Sequence, residues 1–227
     1  MSMKSKVLAA AATLTMVGGL GTAGALSASA ATPSCGHSCI DIFSREFGTH
    51  HTPAFVLDVK QQAAKVGQAI ILYRTSNSDP AEDFTISFQG TVADFYAAGL
   101  VTSALNLHYS HQWAYEVEYS PNGVNSGLCV GVGSTAANQT PVALEPCGTS
   151  SKTVWVVDSH DAIGSGYVPL INGSDVNFSH PYVLHYPGNG YPTDTPRPQL
   201  NTYELQEYSN GTVFNNEQWG ADFGVLR

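Results

Sequence analysis

Residues 127–158 read GLCVGVGSTAANQTPVALEPCGTSSKTVWVVD, and this stretch decides the fold. It holds an apolar run at 128–132, a small-polar loop, a second run at Thr140-Pro141-Val142-Ala143-Leu144, and a third at Val154-Trp155-Val156-Val157. Short β-branched and aromatic runs bounded by Gly, Ser, Asn and Pro read as strands. Cys129 and Cys147 flank the first two runs.

The same order recurs on both sides. Leu57-Asp58-Val59 is followed by a run at 68–73 and then Asp83-Phe84-Thr85-Ile86; Leu184-His185-Tyr186 is followed by Arg197-Pro198-Gln199-Leu200 and then Gln218-Trp219. First run to second is 15 residues from Leu57 to Leu72, 14 from Val130 to Leu144 and 16 from Leu184 to Leu200. Near-equal spacing indicates three copies of one unit. In the third copy the second strand could instead lie at 203–205. One unit cannot bury its apolar face alone, whereas three around an axis can close a barrel and leave no open strand edge. Phe84, Trp155 and Trp219 then meet in the shared core.

Further runs at 113–119 and 84–88 add strands, helical turns are expected within 61–66 and 94–104, and no long helix is indicated. Residues 31–55 precede the repeat and read as an N-terminal extension. Residues 92–125 are too long for an ordinary connection and read as an insertion, a hairpin ending in the turn Pro121-Asn122-Gly123.

The Cys, Thr-Pro-Val and Trp order resembles one repeat of a ricin-type β-trefoil, the fold of many sugar-binding modules. The resemblance implies an all-β domain at 56–227 built from three repeats, with the extension before it and the insertion at about 92–125. The whole chain also resembles a group of secreted bacterial proteins, which brings no function with it. In the ricin-type family an Asp on the first strand holds sugar hydroxyls, an aromatic after the second stacks on the ring, and an Asn-Gln pair before the core Trp adds hydrogen bonds. A carboxylate accepts from two hydroxyls, and a flat ring matches the C–H face of a sugar.

Carried over residue by residue, the first repeat keeps Asp58 and Tyr73 and has Ala81-Glu82 in place of the Asn-Gln pair. Asp58, Tyr73 and Glu82 are thus the candidate ligand-binding residues. The second repeat has Gly131, Glu145 and Lys152-Thr153, a lost site. The third has His185, Asn201 and Asn216-Glu217, with Gln199 at a polar position of its second strand, a remodelled site.

The chain opens with a secretion signal at 1–30: Lys4 and Lys6, an apolar run, and the small-residue cleavage site Ala28-Ser29-Ala30. The run is short of the ~20 residues a membrane span needs, so the expected location is extracellular. Without the signal, 7 Lys and Arg face 18 Asp and Glu, a net charge of −11. That balance, with no basic cluster, argues against nucleic acid and anionic membranes as partners. Four cysteines after a signal read as two disulfides. Three connectivities are open; Cys129–Cys147 is favoured because it flanks neighbouring strands of one repeat, leaving Cys35–Cys39 as a small loop.

Nothing points to a catalytic residue, a cofactor or a metal. Glu116 and Glu118 read as a solvated strand face. His108-x-x-His111 and His160-Asp161 are not joined by further ligands at suitable spacing, and the Cys35–Cys39 segment, with His50-His51 nearby, has no second pair of the kind zinc prefers. The expected partner is a carbohydrate, bound without catalysis. The alternative is an extracellular protein, bound as by an inhibitor or envelope-associated scaffold, through an insertion patch of Phe95, Tyr96, Leu100 and Val101 or through the Cys35–Cys39 loop.

Overall fold

In the computed structural model, residues 39–47, 55–76, 79–161, 166–188 and 197–222 are described. The signal segment 1–30 lies outside them. Twelve strands run among the described residues in three sets of four. The first set is β1 (Asp41–Ser44), β2 (Phe55–Val59), β3 (Ile70–Arg74) and β4 (Phe84–Thr91). The second is β5 (Trp113–Tyr119), β6 (Leu128–Val132), β7 (Thr140–Pro146) and β8 (Val154–Val157), and the third is β9 (Leu170–Asn172), β10 (Tyr182–His185), β11 (Asn201–Glu204) and β12 (Trp219–Asp222).

The outer strands of each set close a ring. β4 pairs β5, β5 pairs β8, β8 pairs β9 and β12 pairs β1, all antiparallel. The bridges Ile40 to Phe84 and Val168 to Trp219 complete the circuit between β1 and β4 and between β9 and β12. Each inner pair is a hairpin: β2–β3, β6–β7 and β10–β11. The hairpins join one another through Ala69 to Ala143, Asn201 to Pro141 and Ile71 to Gln199. A six-stranded barrel with three hairpins meeting at one end is a β-trefoil, as the repeat spacing predicts.

The core follows the repeat. Leu57, Leu72, Val130, Leu144, Leu184 and Leu200 are buried in one cluster with Phe84, Trp155 and Trp219. Burying each such aliphatic side chain contributes about 1.5–3 kcal/mol. Each indole also makes an equivalent bond: Trp155 Nε1 donates to Val130 O at 2.9 Å and Trp219 Nε1 donates to Leu184 O at 2.8 Å. Each acceptor is the first-strand residue that aligns with Leu57 in the repeat.

Three readings need correction or refinement. The 31–55 extension contributes β1, a barrel strand. The 92–125 insertion is not a hairpin: it holds helices α1 (Val92–Ala97) and α2 (Ser103–Tyr109), and its last strand, β5, belongs to the barrel. Thr91 and Asp94 form a reciprocal capping box on α1, and Thr102 Oγ1 accepts from Leu105 N on α2. Val92, Phe95, Val101 and Leu105 then pack on Ala114, Val154, Val156, Ile171 and Val183, the outward face of the neighbouring strands. Two of the four residues offered as a partner patch, Phe95 and Val101, are therefore interior. The turn Pro121-Asn122-Gly123 is present, with positive φ at Asn122 and Gly123. In the third repeat Leu200 enters the core just before β11, so the second strand lies between the two positions expected for it.

Glu116 and Glu118 are not a solvated face. They are 2% and 5% exposed. Glu118 Oε1 accepts from Gly127 N at 2.7 Å and Glu116 Oε1 from Gly148 N at 2.9 Å. Those two glycines lie at the ends of the loop closed by Cys129–Cys147, whose Cα atoms are 5.0 Å apart. Cys39 is disulfide-bonded as well, while Cys35 of the expected pair, like His50 and His51, lies outside the described residues. Among the described residues no helix is long and apolar enough to cross a membrane.

Candidate functional site

The position two residues before each core aromatic holds down a loop. Glu82, before Phe84, accepts from Ser76 N with both oxygens, at 3.0 and 2.9 Å. Glu217, before Trp219, accepts from Gln206 N at 2.8 Å. Thr153, before Trp155, donates its hydroxyl to Glu116 Oε1 at 2.5 Å, and that oxygen takes the loop N–H of Gly148. Burial pushes the carboxyls of Glu82 and Glu217 up to about 8, against the partly offsetting N–H donors; Asp41, Asp58 and Asp79 add to the rise at Glu82.

In the first repeat, Asp58 on β2 is 3% exposed and Tyr73 on β3 is 37% exposed. Asp58, Glu82 and Asp79 bring carboxylate oxygens within 4.8 Å of one another. Asp79 Oδ1 accepts from Ala81 N at 3.0 Å and from Gln62 Nε2 at 2.8 Å. Burial and then the Asp79 charge push the Asp58 carboxyl up to about 7, while Arg197 pulls it down. The Arg197 guanidinium lies over the Tyr73 ring, 3.1 Å from its centroid. The aromatic and the acid singled out in the sequence are thus close to one cation, which covers a face of the ring. Glu82, 1% exposed and bonded to Ser76, faces the protein interior.

The second repeat is sealed. A Cβ built on Gly131 would meet Lys152 O at 2.8 Å and the Thr153 methyl at 2.9 Å, so the space an aspartate would need is already filled. Lys152 Nζ donates to Gly133 O across the same mouth.

The third repeat opens into a cavity of about 800 Å³. His185 on β10 sits in its wall, 8% exposed. Its Nδ1 is 2.8 Å from Asn201 Oδ1 and its Nε2 is 3.1 Å from Asn216 Nδ2. An amide nitrogen only donates and a carbonyl oxygen only accepts. His185 is therefore neutral with its proton on Nδ1, in keeping with the downward shift that burial gives it. Tyr203 lies 5.0 Å from the imidazole, and Tyr208 and Phe214 pack on each other at 4.3 Å along the same cavity. The sequence shows Asn201 where the stacking aromatic belongs. The ring has moved two residues along β11, to Tyr203 on the same face of the strand. Gln139, from the second repeat's loop, also lines the cavity.

Both histidine pairs lie among the described residues. His108 stacks on Phe178 at 4.2 Å, and His160 N donates to Asp158 Oδ1.

No protein-family model matches the chain, and no curated protein matches it. Solved structures do. ThreeFoil, a designed protein of 3-fold symmetry, is 14% identical and aligns over 81% of this chain and 97% of its own, with a TM-score of 0.52. An exo-β-1,3-galactanase from Clostridium thermocellum is 12% identical over 82% of this chain and 30% of its own, with a TM-score of 0.52. A Macrolepiota procera ricin B-like lectin in complex with lactose is 16% identical over 82% of this chain and 95% of its own, with a TM-score of 0.46. At such identity the likeness to the first two, each at a TM-score of 0.52, is one of fold, and it agrees with the strand pairing: the chain is a β-trefoil.

Proposed function

We propose that the chain is a secreted, non-catalytic carbohydrate-binding protein whose best-formed site is the third-repeat cavity. The observation that carries this reading is the fixed array of His185, Asn201 and Asn216 beside Tyr203. Amides with spare donors and acceptors suit a run of hydroxyls, and a neighbouring phenol ring suits the C–H face of a pyranose. Asp58 and Tyr73 supply a second position in the first repeat, with Glu82 supporting its loop; a ring stacks on Tyr73 from the Arg197 side only when the guanidinium moves off. With one open site, binding is weak unless sites are multiplied. The reading without catalysis is supported by Glu116 and Glu118, both buried and committed to loop N–H groups. For the protein-partner alternative the insertion patch is smaller than expected: Phe95 and Val101 are interior, while Tyr96 is 45% exposed.

The test is binding of residues 31–227 to a glycan array and to insoluble polysaccharides, beside Asn216→Ala and Asp58→Ala. Binding lost only in Asn216→Ala supports the third-repeat site. Binding lost only in Asp58→Ala moves the site to the first repeat. A folded protein that binds no glycan refutes the reading.

A further inference from the structure

The first repeat carries an acidic arrangement that the third-repeat cavity does not share. Asp58, Asp79 and Glu82 converge although they come from β2 and from the turn before β4. Asp79 and Glu82 each accept backbone N–H bonds. Asp58 is 3% exposed, and its carboxyl accepts no hydrogen bond among the described residues. A buried carboxylate without a donor is costly, and such groups are found paired or on a metal.

We propose that Asp58, Asp79 and Glu82 bind a calcium ion. The donors are all oxygen, which suits a hard cation. Two Ca–O bonds of about 2.4 Å end to end span about 4.8 Å, the distance within which the three oxygens lie. Charge also balances: three carboxylates meet one divalent ion and the Arg197 guanidinium, whose field already reaches Asp58. Asp79 is half-exposed and gives the ion a way in. The proposal is independent of the third-repeat cavity.

The experiment is calorimetric titration of CaCl₂ into the chelator-treated protein, residues 31–227, with Asp58→Asn and Asp79→Asn beside it. Asp79→Asn keeps the oxygen that accepts from Ala81 N and removes only charge. The wild type is expected to bind one ion with a Kd of about 0.1–1 mM, as extracellular calcium modules do, and each variant to bind about tenfold more weakly or worse. If Asp58→Asn fails to fold, Asp79→Asn decides. No binding up to about 10 mM, tenfold beyond that range, overturns the proposal, as does binding that neither variant weakens.

Discussion

Replacing Trp219 by Phe tests the packing around the threefold axis. Trp219 is 1% exposed, and its Nε1 donates to Leu184 O at 2.8 Å. Phenylalanine cannot donate, and leaving a buried carbonyl without its partner costs about 1–3 kcal/mol. The smaller ring also leaves a void of a few tens of Å³, which at ~24 cal/mol per Å³ costs about 1 kcal/mol. The expected loss is therefore about 2–4 kcal/mol. With a urea m-value near 2 kcal/mol/M, the unfolding midpoint falls by about 1–2 M. Phe84 occupies the aligned position of the first repeat, so a phenyl ring fits such a site, and the loss measures the missing bond and volume rather than a clash. Trp155→Phe, which loses the matching bond to Val130 O, is expected to behave alike. A loss below about 0.5 kcal/mol in both variants, the scatter of ordinary surface substitutions, refutes the claim that the indole bonds and packing hold the barrel.

Glu217 stays protonated up to about pH 8 when folded, against an ordinary value of 4.5. Between those pH values the unfolded chain binds fewer protons, so stability falls as pH rises from 4.5 through 8. Glu217→Gln is expected to flatten that fall, measured as urea midpoints at pH 5, 7 and 9, with Glu82, Asp58, Asp158 and Asp175, all raised by burial, supplying the slope that remains; an unchanged profile counts against burial as the cause. Replacing Cys129 and Cys147 by Ala opens a loop of sequence separation 18 and is expected to lower stability by about 3 kcal/mol, read from the same denaturation curves. Gly131→Asp, which restores the family's acid to the second repeat, is expected to gain no glycan binding and to cost about 1–3 kcal/mol through overpacking against Lys152 O.

The barrel was legible in the sequence because its signals are local and repeat. Leu57 with Leu72, Val130 with Leu144, and Phe84 with Trp155 and Trp219 each mark a buried position at regular spacing, and all lie in one cluster. β1 was missed because its four residues stand apart from the run that follows, and only pairing with β12 and the Phe84 bridge makes them a barrel strand. Helical structure was legible within 94–104, and the capping box Thr91-x-x-Asp94 marks where α1 begins. Glu116 and Glu118 look exposed by alternation, and nothing local shows that Gly127 and Gly148 point their N–H groups at them. At the site, His185, Asn201 and Asn216 could be placed by alignment to the repeat. Tyr208, Phe214 and Gln139 could not, because they arrive from a long connection and from another repeat.

Each repeat carries its own latch: Glu82 on Ser76, Glu116 with Thr153 on Gly148, and Glu217 on Gln206. No latch borrows a residue from a neighbouring repeat. The framework thus resembles three doors hung on separate hinges, each of which can be rebuilt without unhanging the others. That independence accommodates what the three mouths have become, one crowded with acids, one walled shut and one widened into a chamber. For anyone redesigning the molecule, the latches can be changed one repeat at a time, whereas the first and third mouths also draw on Arg197 and Gln139 from other repeats.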